Sequence, residues 1–273
     1  MAQIRVAAVQ LQSQDDILAN LARCEHWISV AVANGAQLVV LPENFAYFGN
    51  EAGRRAAAEP LGDFEKPIQG LVSGAASIQG VAILAGGWPE LNPTAAPPYN
   101  SATLFAATGS YSANYRKIHL FDMTLPNGQV IRESDAVAAG SQVVVCDLHG
   151  FRLGLSICYD LRFPELYRQL VKRGCEIICA PSAFTEETGR AHWELLVRSR
   201  AVESQSWVIA PNQSGQHPGN RRTFGHTMIV DPWGRICALA PAGEGIVFAD
   251  ITTDSIVKVR TSMPCLRHRR HLW

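Results

Sequence analysis

The chain has 273 residues and 47% hydrophobic content, enough to build a sizeable buried core, which excludes a disordered protein. Lysine plus arginine equal aspartate plus glutamate at 24 each, so no net field draws the chain to nucleic acid or a membrane surface, and the expected partner is a small molecule. Seven cysteines, at 24, 146, 158, 175, 179, 237 and 265, are scattered without a C-x-x-C pair or a dense Cys/His cluster. That spacing argues against a disulfide framework and a structural zinc, and points to reduced thiols in a cytoplasmic protein.

The N-terminal stretch lacks a basic leader region, and no apolar run reaches the roughly 18 residues of a membrane span. Residues 4 to 11 read as a strand, 14 to 34 as a helix opened by Gln14-Asp15-Asp16 and closed by Asn34-Gly35, and 37 to 41 as a second strand ending at Pro42-Glu43. A loop over 49 to 63 leads to a helix near 66 to 80 and a strand over 81 to 87. Asn100 to Ala107 and Ser110 to Tyr115, joined at Thr108-Gly109, form a hairpin. A loop over 118 to 142 precedes strands at Val143 to Asp147 and Phe151 to Ile157. The second of these ends abruptly in Cys158, and Pro164 opens an amphipathic helix soon after. Trp193, Leu196 and Val197 mark the buried face of a helix over 190 to 205.

The second half repeats the first. Gly35 to Phe45 (GAQLVVLPENF) and Gly174 to Phe184 (GCEIICAPSAF) share Gly, a short apolar strand, Pro and Phe at identical spacing, each after a strand and a helix. The correspondence extends to Val81 to Gly87 with Trp207 to Gln213, to the hairpins at Thr108-Gly109 and Trp233-Gly234, and to Val143 to Asp147 with Ile246 to Asp250. Such duplicated units bury their sheets best by stacking them with helices outside. The expected fold is therefore an α/β four-layer α-β-β-α sandwich with pseudo-twofold symmetry. It forms a single domain over residues 1 to 273, with a basic C-terminal tail from about 255 to 273 whose Trp273 packs on a neighbour.

The repeat turns a lone cysteine into a constellation. Glu43, Lys117 and Cys158 each follow the end of a strand and are expected to meet at one sheet edge. A thiol with a pKa of about 8.5 is only a few per cent ionised at neutral pH, so a cysteine nucleophile needs a base or a cation. Glu43 suits the base. Lys117 favours the thiolate and, with the backbone N–H after Cys158, suits an oxyanion site. The alternatives are a buried core cysteine, a solvated loop carboxylate, and a surface pair between Lys117 and Asp122.

Leu41-Pro-Glu-Asn-Phe45, Tyr115-Arg-Lys117 and Gly154-Leu-Ser-Ile-Cys158-Tyr-Asp-Leu-Arg-Phe-Pro-Glu165 resemble the three signature segments of the nitrilase superfamily of carbon–nitrogen hydrolases. The resemblance covers nearly the whole chain. It implies Glu43 as general base, Lys117 as oxyanion stabiliser and Cys158 as the acylated nucleophile, with Tyr159 supplying a backbone N–H. Glu133 is similar to the family's second active-site glutamate, which positions Lys117 and substrate. The resemblance also implies the sandwich fold, two-step acyl transfer without metal or organic cofactor, and a homodimer or larger homo-oligomer.

Pro181-Ser-Ala-Phe184, Gly189 to Leu196, Arg200 to Glu203 and Gly225 to Gly234 resemble the branch of deaminated glutathione amidases and ω-amidases, which act on amides of 2-oxoglutarate. The leaving group is cysteinylglycine in the first and ammonia in the second. Asn220-Arg-Arg-Thr-Phe-Gly-His226 and Ser182 are closer to the first. Arg221 and Arg222 are candidates for the substrate carboxylates, or else form an exposed basic loop. Phe45 and Phe184 line the pocket or fill the core, and Arg162 shapes the site or is a buried structural cation. His119 and His226 read as structural. The competing functions are an ω-amidase, a Cys–His thiol hydrolase of unrelated fold, and a silent binding protein on this fold. Nitrile hydrolysis is disfavoured because the 181 to 234 segments do not resemble that branch.

Overall fold

The computed structural model describes residues 2–94, 96–124, 128 and 130–270. In chain order the first half contains β1 (Gln3–Gln10), α1 (Ile17–Ala33), β2 (Leu38–Val40), α2 (Glu51–Ala56), α3 (Pro67–Gln79), β3 (Ala82–Glu90), β4 (Tyr99–Phe105) and β5 (Tyr111–Arg116). Two short strands, β6 (Asp122–Thr124) and β7 (Val130–Arg132), then pair before β8 (Val145–Leu148). The second half runs β9 (Phe151–Leu155), α4 (Pro164–Lys172), β10 (Ile177–Cys179), α5 (Glu186–Ser204) and β11 (Trp207–Ala210). It closes with β12 (Ser214–His217), β13 (Arg221–Phe224), β14 (Met228–Val230), β15 (Ile236–Leu239), β16 (Gly245–Thr252) and α6 (Thr253–Ser262).

The local chemistry explains where these elements start and stop. Asp16 caps α1 by accepting from the Ala19 N–H, and Gly35 ends it in the left-handed region at φ 80°. Gly174 repeats that turn after α4 at φ 81°. Both glycines thereby deliver the chain into the short apolar strands β2 and β10.

Two six-stranded sheets result, ordered β16-β1-β2-β3-β4-β5 and β15-β14-β11-β10-β9-β8. Along β1 the side chains alternate: Ile4, Val6 and Ala8 belong to the core shared with the second sheet. Ala7 and Val9 pack with Leu21, Cys24 and Ile28 of α1 and Ile68 and Val72 of α3. The second sheet packs on its far side against Leu166 and Leu170 of α4 and Trp193 and Val197 of α5. The layers are therefore α-β-β-α. Burying each large aliphatic side chain contributes roughly 1.5–3 kcal/mol, so two-sided burial of both sheets is the main source of stability.

The two halves exchange an edge strand. β8 ends the first half but pairs antiparallel with β9 of the second, while β16 ends the second half and pairs antiparallel with β1 along its full length. The expected pseudo-twofold correspondence between 143–147 and 246–250 holds through this exchange.

Several segments differ from the sequence expectation, among them 214–224, where β12 and β13 pair as a hairpin in place of a loop. The loop over 49 to 63 contains α2, and the loop over 118 to 142 contains the β6–β7 pair and a short 3₁₀ turn at Glu133–Asp135. Both were too short to carry a periodic signal. The tail expected from about 255 begins inside α6, which docks on its own chain: Ile256 and Val259 are buried, and the Arg260 guanidinium donates to the carbonyls of Gln205 and Cys175. Trp273 lies outside the described residues. Among the described residues, no helix is long and apolar enough to cross a membrane.

Candidate active site

Three strand ends meet at one edge of the sandwich. After β2 the chain turns sharply, with Asn44 at φ 61° and its N–H donating to the Gly87 carbonyl at 2.7 Å. That contact places Glu43 directly over Gly87, where the β3–β4 register slips between Ala85 and Trp88. A Cβ at Gly87, itself at φ 55°, would sit 2.6 Å from Glu43 Cγ, so the approach demands glycine. Lys117 follows β5, held by its N–H to the Asn100 carbonyl at 2.8 Å.

Cys158 follows β9 at φ 47°, a left-handed conformation that a β-carbon resists, at the start of a 3₁₀ turn before α4. Its N–H donates to the Pro181 carbonyl at 2.9 Å. Two residues on, fully buried Asp160 accepts from the Tyr115 hydroxyl at 2.7 Å, the Ile157 N–H at 2.8 Å and the His119 N–H at 3.1 Å. His119 Nδ1 also lies 2.7 Å from Asp160, and its ring stacks on Phe163. Asp160 thus ties the Lys117 segment to the Cys158 turn, and His119 has a structural role with a carboxylate partner.

Glu43, Lys117 and Cys158 are 3%, 1% and 9% exposed, so their charges must be satisfied within the protein. Lys117 Nζ donates to Glu43 Oε1 at 2.9 Å and to the two oxygens of Glu133 at 3.0 and 2.8 Å. Asn100 Nδ2 bridges the same carboxylates, at 2.8 Å from Glu43 and 3.3 Å from Glu133. The Phe121 N–H adds a 2.7 Å bond to Glu133. Lys117 is therefore not paired with Asp122, which instead accepts from Ser134.

Burial by itself would drive Lys117 toward neutrality, but the charges of Glu133 and Glu43 outweigh it and hold the ammonium above its ordinary pKa. Burial also pushes Glu133 upward, and Lys117 more than reverses it, leaving that carboxyl below its usual range. The Cys158 thiol is raised well above its ordinary value, first by burial and then by the Glu43 charge, against the opposing pull of Lys117 and the Ala183 N–H. The arrangement is a neutral thiol beside an ammonium clamped by two carboxylates. It can pass a proton from sulfur to carboxylate and stabilise a developing oxyanion.

These groups open into a cavity of about 410 Å³. Its lining includes Glu43, Lys117, Glu133, Cys158, Tyr159, Arg162, Phe184, Arg221 and Arg222. Arg162 is half-buried, with its guanidinium over the Tyr159 and Phe184 rings, so it faces the cavity and is not a buried core cation. Arg221 and Arg222 are exposed on β13 at the rim. Phe45 is absent from the lining; it is fully buried in the core between the first sheet and its helices. The sequence reading passed over Asn100, Arg54 and Asp160. Asn100 opens a hairpin and Arg54 lies on six-residue α2, and neither position carries a spacing signal. Asp160 lies inside the Cys158 segment, two residues after the cysteine.

A carbon–nitrogen hydrolase family model matches residues 5–261. Deaminated glutathione amidase from Synechocystis is 45% identical over 268 residues, covering 96% of this chain and 97% of that protein. The protein of the same name from Yersinia enterocolitica is 40% identical, covering 99% and 94%. Among solved structures, Saccharomyces cerevisiae Nit3, described as a member of branch 10 of the nitrilase superfamily, superposes with a TM-score of 0.89 at 32% identity, covering 99% of this chain and 97% of that one.

Proposed function

From a chain that belongs to the carbon–nitrogen hydrolase family, and so hydrolyses carbon–nitrogen bonds other than peptide bonds, we propose a thiol-dependent amidase that converts deaminated glutathione to 2-oxoglutarate and cysteinylglycine. The observation that carries this reading is the buried Glu43–Lys117–Glu133 cluster beside Cys158, opening into a cavity walled by Arg162, Arg221 and Arg222. The volume suits a small molecule, within the roughly 300–1,000 Å³ of such sites. The arginines suit a substrate with a carboxylate at each end. The names of the Synechocystis and Yersinia relatives support the same substrate.

In the proposed mechanism Glu43 takes the Cys158 proton as sulfur attacks the amide carbonyl. Lys117 and the Tyr159 backbone N–H hold the resulting oxyanion, and Glu133 keeps the Lys117 ammonium in place. Collapse breaks the carbon–nitrogen bond, and Glu43 returns its proton to the departing amine. Water then attacks the thioester with Glu43 as base, releasing 2-oxoglutarate and restoring the thiol.

Release of 2-oxoglutarate from deaminated glutathione by the purified protein, and none by Cys158→Ala, is the expected result. Absence of release by folded wild-type protein rejects the substrate and turns attention to α-ketoglutaramate, with ammonia as the readout.

The working form is a homodimer. Leu195 and Val202 are exposed on α5, and exposed Trp233 sits beside Gly234, which packs against Val202. A second copy is the natural cover for this apolar surface. Sedimentation at micromolar concentration is expected to give twice the chain mass, and a monomer there rejects the assignment. Seven free cysteines suit a reducing cytoplasm, which fractionation of cells producing the tagged protein tests.

A further inference from the structure

Helix α2 brings Arg54 into the cavity wall. Its Nη2 donates to Asn44 Oδ1, on the residue next to Glu43, whereas Nη1 is buried and has no hydrogen-bond partner. The charge of Arg54 reaches two neighbours in the cavity. It helps hold Glu133 ionised, after the larger effects of Lys117 and the Phe121 N–H. It also adds to burial in depressing the pKa of Arg221. Arg221 donates to the Gly49 carbonyl at 2.7 Å and lies over the Phe48 ring. Glu133 and Glu51 offset part of this positive charge, but the buried Nη1 donor remains unmet and is satisfied best by an acceptor that enters the cavity.

We propose that Arg54 Nη1 seats the carboxylate at the 2-oxo acid end of the substrate. This rests on the reading of the substrate as an amide of a 2-oxo dicarboxylic acid. Depth decides which end binds there. The acyl part stays attached to Cys158 after the amine has left, so it suits the buried donor. The cysteinylglycine carboxylate must depart first and suits the exposed rim, where Arg222 stands. Arg54 thereby sets specificity for anionic amides without touching the reacting atoms.

The test compares wild type, Arg54→Gln and Arg54→Lys. Hydrolysis is measured on deaminated glutathione and on uncharged pentanamide. Calorimetric titration uses 2-oxovalerate, a five-carbon 2-oxo acid with one carboxylate and no amide. Loss of one charge-assisted bond predicts a KM for deaminated glutathione raised roughly 10- to 100-fold in Arg54→Gln, with kcat within about threefold of wild type. Binding of 2-oxovalerate weakens by a similar factor, Arg54→Lys recovers part of it, and kcat/KM for pentanamide falls by no more than the roughly threefold allowed for kcat, the share that passes through Glu133. Equal losses on pentanamide, unchanged 2-oxovalerate binding in Arg54→Gln, or no 2-oxovalerate binding by wild type each overturn the proposal. If wild type binds 2-oxovalerate through Arg54 yet leaves deaminated glutathione intact, the substrate assignment falls and the carboxylate seat stands.

Discussion

Lys117 is the residue on which the buried charges balance. Two carboxylates and a cysteine surround one ammonium, and Glu43, Lys117 and Glu133 share a closed set of bonds. Removing the cation leaves two buried carboxylates unneutralised, which costs about 3–5 kcal/mol in comparable buried pairs. Lys117→Met is therefore expected to lower the urea unfolding free energy by that amount, and to reduce turnover by at least about 10²-fold through loss of an oxyanion donor. A variant of unchanged stability would show that the cluster is not energetically coupled. Glu43, Lys117 and Cys158 were legible in the sequence because each follows a recognisable strand within three residues and lies in a segment that resembles the nitrilase signatures. Asn100 was not, because its amide acts only through two carboxylates brought together from positions 43 and 133.

Short elements and their turns set the precision of the site. Gly87 leaves room for Glu43 at the slip between β3 and β4, where backbone conformation and side-chain clearance both exclude a Cβ. Gly87→Ala must displace Glu43, and a displacement of about 1 Å is enough for roughly 10²-fold loss of activity. The expectation is a kcat/KM reduced by about that factor together with a lowered thermal midpoint, and near wild-type kinetics would contradict it. Helix α2 escaped the sequence reading for a related reason. Its six residues, Glu-Ala-Gly-Arg-Arg-Ala, form less than two turns with none of them buried, and Gly53 is required because a Cβ there would collide with the Tyr47 hydroxyl. Nothing in such a segment repeats often enough to reveal a helix.

At the scale of the whole molecule, the exchange of β8 and β16 makes each half depend on the other. Without β16 the edge of β1 is open, and without the opposite sheet Ile4, Val6, Leu38 and Leu84 face water. We propose that the chain folds as one domain over residues 1 to 273. A chain cut after Gln142 is then expected to yield two fragments that aggregate when produced separately and recover amidase activity when produced together. A soluble, natively folded fragment on its own would reject the proposal.

The sequence by itself determined the periodicities, the duplication and the end of each main strand. These depend on local apolar spacing and on Gly, Pro and capping residues, which act within a few positions along the chain. From them the layered sandwich could be derived, and, together with the resemblance to the nitrilase signatures, the meeting of Glu43, Lys117 and Cys158 at one sheet edge. Only the tertiary structure decided that Phe45 is confined to the core whereas Phe184, also buried in the core, reaches the cavity wall, although the repeat makes them equivalent. Burial there depends on which sheet face each half presents to the other. It also decided that Arg54 faces the cavity with an unmet donor, since that depends on where a short helix lands against segments more than a hundred residues away.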